Sequence, residues 1–404
     1  MSEPLVIIGN GMAAMRLVEE LTERALGRYA IAVVGEEPRL AYNRVLLSAV
    51  LAQEISRTEI ELQPAQWWRD RGVTLLWGHT ATAIDPTTCR VRLGGGAKLP
   101  FTKLVLATGS RAIRLNVPGM ELSGVMTFRD LNDVGAIESA ATRRNKAVVI
   151  GGGLLGLEAA YGLAKAGSEV CVVHLMDRLM ERQLDARAAA MLKRAIEAKG
   201  IVVHLNAETI GITGSKNAEA VVLKDGRRID ADFVVVAAGV RPNIDLAHTA
   251  DLAVDRGVVV DDHLQTSKPG IYAIGECAEH RGICYGLVEP AYDQARALAA
   301  HLAGEDVIYP GSVLATNLKV SGVNVFSAGD FLGATGTEQI VLSDPGFGSY
   351  KKLVVADGRL TGAVLFGDTA DGLWYLEHIR SGISIEAIRE DIVFGRALAE
   401  RQAA

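Results

Sequence analysis

Two glycine-rich turns, each between a short apolar strand and an amphipathic helix, constrain this chain more than any other feature of its sequence. The first, GNGMAA, spans 9–14 after the apolar run LVII, and the second, GGGLLG, spans 151–156 after AVVI. Apolar residues recur at helical spacing after each turn, which predicts two strand–turn–helix units. A single turn of this kind often only packs a helix against a sheet, but two independent copies predict two bound nucleotides.

The first turn has the residue types that a dinucleotide pyrophosphate requires. Gly9 permits the tight turn, and Gly11 lets the backbone approach the phosphates. Ala14 stands where the third glycine of the pattern keeps helix and strand close. The free N–H groups at the helix start, at Met12 and Ala13, are predicted to hold the phosphates. In the second turn the corresponding residues are Gly151, Gly153 and Gly156.

The two copies differ at the tip of their second strand. AIAVV leads to Glu36, an acid placed to bind an adenosine ribose, whereas VCVV ends at His174. His174 replaces the acid that usually selects a free ribose hydroxyl, and Arg178 could pair with a 2′-phosphate. His174 could equally be a strand-end histidine that faces solvent.

Three further strands are predicted to stop at small residues. LVLATGS exits through Thr108 and Gly109, VVVAAGVRPN exits through Gly239, and IYAIGECAE stops at Gly275 and Glu276. Only small residues fit at such tight exits, which is consistent with backbone that runs close to a bound cofactor. Glu276 could bind the hydroxyls of a polyol, or it could belong to a surface turn or helix cap.

Composition excludes several classes of partner. The formal net charge of -6 and the absence of a Lys/Arg stripe argue against a nucleic-acid surface. No apolar run reaches the roughly 18 residues that cross a bilayer, so no membrane partner is expected. The chain passes from Met1 directly into the first predicted strand without a leader, and the expected location is the cytoplasm.

The cysteines disfavour sulfur and metal chemistry. They are scattered without a CxxC pair, at Cys89, Cys171, Cys277 and Cys284. This spacing disfavours a dithiol reductase. It also fits no usual ligand pattern for zinc or an iron–sulfur cluster, so no metal is expected.

Seven motifs in their order along the chain resemble the pyridine nucleotide–disulfide oxidoreductase superfamily: GNGMAA, GEEP, YNR, LVLATGS, GGGLLGLEAA, VVAAGVRPN and IYAIGECAE. Within it, GNGMAAMR, YNRVLLSAVLA and HLMDRLMERQLD are most similar to the flavin-bearing part of assimilatory NAD(P)H nitrite reductases and to nitrate reductase electron-transfer subunits. Rubredoxin and ferredoxin reductases are near relatives. The resemblance implies FAD at the first turn and NAD(P)H at the second. NADH is the preferred electron donor, and NADPH stays open.

The resemblance also implies roles for single residues. Glu36 would bind the adenosine ribose of FAD and Glu276 its ribityl chain, while Glu158 would lie near the nicotinamide. Outside the family context, Arg44 could be a surface ion-pair partner and Glu158 an acid on a helix face. The full FAD set implied is Gly9, Gly11, Met12, Ala13, Ala14, Glu36, Arg44, Ala81, Thr108, Gly109, Gly275, Glu276, Glu289 and Pro290. The NAD(P)H set is Gly151, Gly153, Leu155, Gly156, Glu158, His174, Arg178 and Gly239.

The predicted fold is α/β, with two Rossmann-like dinucleotide-binding domains, one inserted in the other, and a C-terminal α+β domain. The alternating run LKVSGVNVFSAG and the turn at Asp357-Gly358 predict an antiparallel sheet near the end, and Leu373, Leu376 and Ile379 predict a helix. The expected boundaries are 1–112 and 244–308 for the two parts of the FAD-binding domain, 113–243 for the NAD(P)H-binding domain and 309–404 for the C-terminal domain.

Two departures from the family shape the predicted function. Thiol-using members carry a redox cysteine in a region where this chain has Ser48, so electrons are expected to leave from the flavin. Full nitrite reductases continue into iron–sulfur and sirohaem regions, whereas this sequence ends at Ala404, so it is not expected to reduce nitrite alone. The predicted activity is transfer of electrons from NAD(P)H through FAD to a separate redox protein.

The acceptor is expected to be a nitrate or nitrite reductase component. Two other enzyme functions stay open, a rubredoxin or ferredoxin reductase that serves an oxygenase, and an NADH oxidase. A redox-sensing binding protein that responds to NADH is the alternative from another class. A homodimer is also left open.

Overall fold

The computed structural model describes residues 2–141, 146–320 and 322–402. The chain divides into two compact units. The first unit comprises 1–47, 55–112 and 240–312, and the second unit comprises 48–54, 113–239 and 313–404. Helices and strands are numbered below in chain order. None of the helices in the described ranges is long and apolar enough to cross a membrane.

The first unit is built on a five-stranded parallel sheet with the strand order β19-β7-β1-β2-β3. A three-stranded antiparallel sheet, β4-β5-β6, and the short pairs β8/β17 and β18/β20 accompany it. Its strands and helices are β1 (Glu3–Ile8), α1 (Met12–Arg24), β2 (Tyr29–Gly35), α3 (Ala65–Asp70), β3 (Thr74–Trp77), β4 (Ala81–Asp85), β5 (Arg90–Leu93), β6 (Lys98–Pro100), β7 (Lys103–Leu106), β8 (Ser110–Ala112), β17 (Val240–Pro242), α7 (Asp245–Thr249), β18 (Val258–Val260), β19 (Ile271–Ala273), β20 (Ala278–His280) and α8 (Val288–Ala303). Short 3-10 helices cover Arg44–Leu46 and Gly275–Cys277.

The core of the first unit explains why its strands are apolar throughout. Helices cover a parallel sheet on both faces, so its strands bury both sets of alternating side chains. Leu5 and Ile7 of β1 are 0% exposed, and Leu17 and Val18 of α1 are 0% exposed as well. Helix α1 packs against α8.

The second unit contains a second five-stranded parallel sheet, with the order β12-β11-β10-β16-β9, and a three-stranded antiparallel sheet, β13-β14-β15. A five-stranded antiparallel sheet, β21-β22-β25-β24-β23, lies in its C-terminal part. Its strands and helices are α2 (Leu47–Leu51), β9 (Val125–Thr127), α4 (Leu131–Ala141), β10 (Lys146–Ile150), α5 (Leu154–Lys165), β11 (Glu169–Val173), α6 (Ala186–Glu197), β12 (Val202–His204), β13 (Thr209–Thr213), β14 (Ala220–Leu223), β15 (Arg228–Asp230), β16 (Phe233–Val236), β21 (Ala315–Val320), β22 (Val323–Gly329), β23 (Glu338–Asp344), β24 (Ser349–Ala356), β25 (Arg359–Phe366), α9 (Gly372–Ser381) and α10 (Arg396–Gln402). Short 3-10 helices cover Glu386–Ile388 and Ile392–Phe394.

The C-terminal sheet confirms the predicted hairpin. Ala356 pairs with Arg359 across the turn, and Asp357 and Gly358 both have positive φ angles, of 48° and 67°. Such a turn matches the right-handed twist of the flanking strands. The predicted helix is also present as α9, but Leu373 is 60% exposed and does not belong to the buried face that holds Leu376.

The predicted fold class is confirmed, since each unit is an α/β body built on a parallel sheet. In each of them a glycine-rich turn joins a central strand to the following helix. β1 leads through the first turn into α1, and β10 leads through the second turn into α5. The carboxyl edge of each parallel sheet is therefore the place to look for a bound nucleotide.

Candidate functional site

The first turn forms a cradle that only glycine permits at its start. Gly9 has a φ of 115°, and a Cβ atom there would lie 2.0 Å from the carbonyl oxygen of Ala107 at the end of β7. Around Gly11, by contrast, a Cβ atom would meet nothing within 4 Å. This open space beside exposed backbone is what a pyrophosphate needs. Ala14 is 0% exposed and packs helix α1 onto the sheet.

The start of α1 presents backbone N–H groups to this space. The first intrahelical bond runs from the Met15 N–H to the Gly11 carbonyl, at 2.9 Å, so the N–H groups of Met12 and Ala13 precede the hydrogen-bond ladder. Gly11 at the N-cap has no side chain that could occupy them. A helix start of this kind attracts phosphate through its N–H groups and its dipole.

Two other strand ends meet this turn. A Cβ atom at Gly275, just after β19, would lie 3.0 Å from the Cβ of Ala13. A Cβ atom at Gly109, just after β7, would lie 3.9 Å from Oε2 of Glu276. The Ser110 hydroxyl donates a hydrogen bond to the same oxygen of Glu276, at 2.8 Å. The structure therefore brings the turn, the β7 exit and the β19 exit together at one edge of the sheet.

Residues that the sequence analysis missed hold these exits in place. Asn243 donates from its amide to the Thr108 carbonyl and accepts the Thr108 hydroxyl at its own carbonyl, both at 2.9 Å. Gln294 of α8 accepts the Gly275 N–H at 2.7 Å. The position of Asn243 in the RPN motif directly after a strand exit was an available signal. Gln294 gave none, because it lies on a helix far along the chain.

The remaining predicted FAD residues are spread around this edge. Glu36 follows β2 and is exposed, and Ala81 begins β4, two residues after His79, whose N–H bonds to the Gly35 carbonyl at 2.9 Å. Glu289 is exposed and Pro290 is buried, both in the first turn of α8.

Arg44 makes the ion pair that the sequence analysis left open. Its guanidinium contacts the carboxylate of Glu37. The hydroxyl of Tyr42 donates to the other oxygen of the same carboxylate, at 2.8 Å. Arg44 is therefore held by neighbours of its own unit, and a direct cofactor contact remains a prediction.

The second turn repeats the cradle. Gly151 has a φ of 129°, and a Cβ atom there would lie 2.2 Å from the carbonyl oxygen of Ala237 at the end of β16. A Cβ atom at Gly153 would meet nothing within 4 Å, whereas one at Gly156 would lie 2.0 Å from the Gly151 carbonyl oxygen. Leu155 lies in the first turn of α5 and is partly buried. Gly239 follows β16, and its carbonyl accepts the N–H of Ile113 at 3.0 Å.

His174 does not face solvent, so that alternative is wrong. Its residue exposure is 8%, because the ring lies against Gly152 in the glycine-rich turn. The Gly152 N–H donates to Nδ1 of His174 at 2.9 Å, and Nε2 lies 3.1 Å from the carboxylate of Glu181.

The strand register also corrects the expected equivalence between His174 and Glu36. Ile8 pairs with Val34 in the first sheet and Ile150 with Val173 in the second, so His174 is equivalent to Gly35. The residue equivalent to Glu36 is Leu175. The prediction compared the second residue after the apolar run in the first copy, Glu36, with the first residue after it in the second copy, His174.

Arg178 is already engaged at the surface of the second unit. Its guanidinium Nη1 lies 3.1 Å from the carboxylate of Asp177. Its Nε is buried and has no hydrogen-bond partner among the described residues. A 2′-phosphate would compete with Asp177 for this side chain.

Glu158 lies on α5, two residues after Gly156, and is half-buried. Burial raises the pKa of its carboxyl from the ordinary 4.5 to about 7, and a hydrogen bond from the Ser48 hydroxyl partly opposes this rise. The carboxyl can thus take up and release a proton near neutral pH. Ser48, in the region where thiol-using members of the resembled superfamily carry a cysteine, therefore lies beside a carboxyl group.

Three of the four cysteines, Cys171, Cys277 and Cys284, are not activated for thiol chemistry. Burial raises the pKa of Cys171 and of Cys284 to about 11, and it also raises the pKa of Cys277. A raised pKa keeps a thiol protonated, and the thiolate is the reactive form. Across residues 2–141, 146–320 and 322–402, no three His, Cys, Asp or Glu side chains gather as a metal site would require.

A family match accounts for both cradles. Residues 3–299 match the pyridine nucleotide-disulphide oxidoreductase family. The chain belongs to this family. Residues 315–383 match the C-terminal domain of rubredoxin NAD+ reductases. The predicted superfamily is confirmed, and with it FAD and NAD(P)H as the cofactors that this family uses.

Two relatives from Bacillus subtilis (strain 168) are similar over most of this chain. A nitrite reductase (NAD(P)H) is 45% identical over 369 residues, which are 91% of this chain and 46% of that protein. An assimilatory nitrate reductase electron transfer subunit is 42% identical over 390 residues, which are 96% of this chain and 51% of that protein. The chain therefore spans about half the length of these relatives.

A solved structure shares the whole fold. The ferredoxin reductase for the CYP199A2 system from Rhodopseudomonas palustris superposes with a TM-score of 0.88 at 26% identity. The match covers 100% of this chain and 100% of that one.

Proposed function

We propose that this chain transfers electrons from NAD(P)H through FAD to a separate redox protein, a component of nitrate or nitrite reduction. The observation that carries the proposal is the pair of cradles, each with an obligatory first glycine and an open middle glycine. The raised thiol pKa values favour an outlet other than a cysteine pair. The two Bacillus subtilis relatives, a nitrite reductase and an assimilatory nitrate reductase electron transfer subunit, support the choice of acceptor.

In the first unit, the residues bind and orient FAD. Gly9 and Gly11 would hold its pyrophosphate with the N–H groups at the start of α1. Glu276, fixed by Ser110, would accept hydrogen bonds from ribityl hydroxyls. When bound, FAD supplies the chemistry that converts a hydride from NAD(P)H into single electrons for the acceptor.

In the second unit, the residues bind and orient NAD(P)H. Gly151, Gly153 and Gly156 would hold its pyrophosphate. Glu158 would lie near the nicotinamide and carry a proton in part of the molecules near pH 7, because burial has raised its pKa. The protein contributes proximity and orientation, since the cofactors carry the bond chemistry.

A second candidate function is a rubredoxin or ferredoxin reductase. It is favoured by the C-terminal match to rubredoxin NAD+ reductases. The benzene 1,2-dioxygenase ferredoxin–NAD+ reductase of Pseudomonas putida, 32% identical over 370 residues, favours it too. We also propose a cytoplasmic location and a homodimer for either candidate function. An NADH oxidase and an NADH-responsive binding protein are two further outcomes that the following experiment distinguishes.

The test is an anaerobic stopped-flow titration followed by a panel of acceptors. The purified protein should be yellow and should bleach on addition of NADH. Colourless protein that takes up no FAD would refute the proposal. Rapid reoxidation by a nitrate or nitrite reductase component supports the first candidate, and rapid reoxidation by rubredoxin or ferredoxin supports the second. Rapid reoxidation only by air would identify an oxidase, whereas slow reoxidation by all acceptors with a change in oligomeric state would identify a sensor.

A further inference from the structure

The end of β11 has no acid at the positions where a Rossmann strand usually offers one. His174 is buried against the glycine-rich turn, and the next residue, Leu175, is apolar and 59% exposed. In a Rossmann unit that binds NAD(H), an acid near this strand end accepts hydrogen bonds from the 2′-hydroxyl of the adenosine ribose. Either another carboxylate fills this role or the site takes the 2′-phosphate of NADPH.

Glu181 is the carboxylate that the fold brings to this place. Nδ1 of His174 accepts the N–H of Gly152, so the ring proton is carried by Nε2. Nε2 then donates to Oε2 of Glu181 at 3.1 Å. The buried imidazole thereby links the glycine-rich turn to a carboxylate that lies seven residues farther along the chain.

The backbone also holds Glu181 beside the turn. The N–H of Met180 donates to the Gly152 carbonyl at 3.0 Å, and Met180 has a φ of 50°. The Glu181 side chain is 23% exposed, so it is accessible while one oxygen is occupied by His174. In the part of the chain that the structure describes, the other oxygen, Oε1, has no hydrogen-bond partner.

We propose that Glu181, oriented by His174, binds the adenosine ribose hydroxyls of NADH and disfavours NADPH. The free oxygen accepts a ribose hydroxyl, and the negative charge repels a 2′-phosphate. Arg178, the cation that could favour NADPH, is paired with Asp177. This inference rests on the proposed function, because it concerns the same nucleotide site.

The test measures equilibrium binding of NAD+ and NADP+ to the FAD-loaded protein, which is not reduced by either ligand. Four proteins are compared by isothermal titration calorimetry: wild type, E181Q, D177N and E197Q. E181Q keeps the shape and the His174 contact but removes the charge. D177N tests the rival acid, and E197Q is the matched control on α6, where Glu197 is 39% exposed and pairs with Lys193.

We expect the wild type to bind NAD+ more tightly than NADP+. E181Q should weaken NAD+ binding about tenfold, because a charge-assisted hydrogen bond is lost, and should not weaken NADP+ binding. E197Q should leave both dissociation constants unchanged. A wild type that prefers NADP+, an unchanged NAD+ affinity in E181Q, or a loss in D177N that E181Q lacks would each overturn the inference.

The thermal unfolding midpoint of each variant shows whether a loss of affinity reflects misfolding. If wild-type protein bleaches with NADH but E181Q keeps its NAD+ affinity, only the role of Glu181 is refuted and the proposed function stands. Wild-type protein that takes up no FAD would instead refute the proposed function. The two failures are therefore distinguishable.

Discussion

The two glycine-rich turns leave the same space for a Cβ atom at their first and middle glycines, but they differ at the third position of the pattern. A Cβ atom would meet a strand carbonyl at Gly9 and at Gly151, at 2.0 and 2.2 Å, and would meet nothing within 4 Å at either middle glycine. At the third position, Ala14 is accommodated in full burial, but a Cβ atom at Gly156 would lie 2.0 Å from a backbone oxygen. The tight turn thus requires glycine in both copies, and the middle position leaves open space for the predicted phosphate. The third residue depends on the local distance between helix and turn.

The two copies also differ in which of two facing positions carries a side chain, the second residue of the turn or the residue at the end of the following strand. In the first, Asn10 carries the side chain, and a Cβ atom at the strand end Gly35 would lie 2.6 Å from the Asn10 Cβ. In the second, the turn has Gly152, and a Cβ atom there would lie 2.7 Å from the ring of His174. One of the two positions must be glycine, and its choice decides whether a side chain from the strand can reach the turn.

The largest effect is expected for Gly156→Ala. The added Cβ would lie 2.0 Å from the Gly151 carbonyl oxygen, which is backbone and cannot move without distorting the turn. We expect a loss of stability of about 3 kcal/mol and no measurable NAD+ binding. Calorimetric titration and thermal unfolding check both. Gly153→Ala is the control, since it has open space and should fold normally while it hinders the pyrophosphate. A stable G156A protein that binds NAD+ would show that the third position of the second turn tolerates alanine, as it does in the first turn.

Two residues after the third position of each turn, the helix carries a basic side chain in the first copy and an acidic one in the second. Arg16 in α1 is paired with Glu20 at 2.6 Å, whereas the equivalent Glu158 is half-buried with a pKa of about 7. Because the folded pKa exceeds the ordinary 4.5, the native state binds the proton more tightly than the unfolded state. The stability that results is complete below pH 4.5 and is lost as pH rises through about 7.

E158Q should remove this pH dependence. Between pH 4.5 and about 7, Glu158 should cost the wild type about 3 kcal/mol of unfolding free energy, at about 1.4 kcal/mol per pH unit. The difference between wild type and E158Q in denaturant unfolding at several pH values isolates this slope. S48A is the companion variant, because loss of the opposing hydrogen bond should move the titration to higher pH. Parallel pH curves for wild type and E158Q would refute the raised pKa.

The glycine patterns could be predicted from the sequence because their cause is local. A turn that must accept φ values of 115° and 129° requires glycine whatever surrounds it. The partners of His174 and Gly275 could not be predicted, because Glu181 and Gln294 approach through contacts that leave no periodic signal in the sequence. The pKa of Glu158 depends on its burial beside Ser48, which only the folded chain defines.

A smaller effect is expected where bulk faces Gly152. Gly152→Ala places a Cβ 2.7 Å from both His174 and Leu179, and side chains can partly yield, so we expect a loss of about 2 kcal/mol. In a His174→Ala background one obstruction is absent, and the same substitution should cost about 1 kcal/mol less. A double-mutant cycle from urea unfolding measures this coupling. Additive losses would show that the ring of His174 does not occupy the space facing Gly152.

The smallest effect is expected for Ala14→Gly, which makes the first turn resemble the second. Nothing in the first turn requires glycine at this position, so the change removes only a buried methyl group and some helix propensity. We expect a loss of about 1 kcal/mol and retention of FAD. Flavin absorbance after dialysis and thermal unfolding check the two parts. Loss of FAD from A14G would mean that the methyl group of Ala14 holds α1 at the distance that the phosphate requires. The third position would then be as constrained in the first turn as in the second, but it would require alanine in the first and glycine in the second.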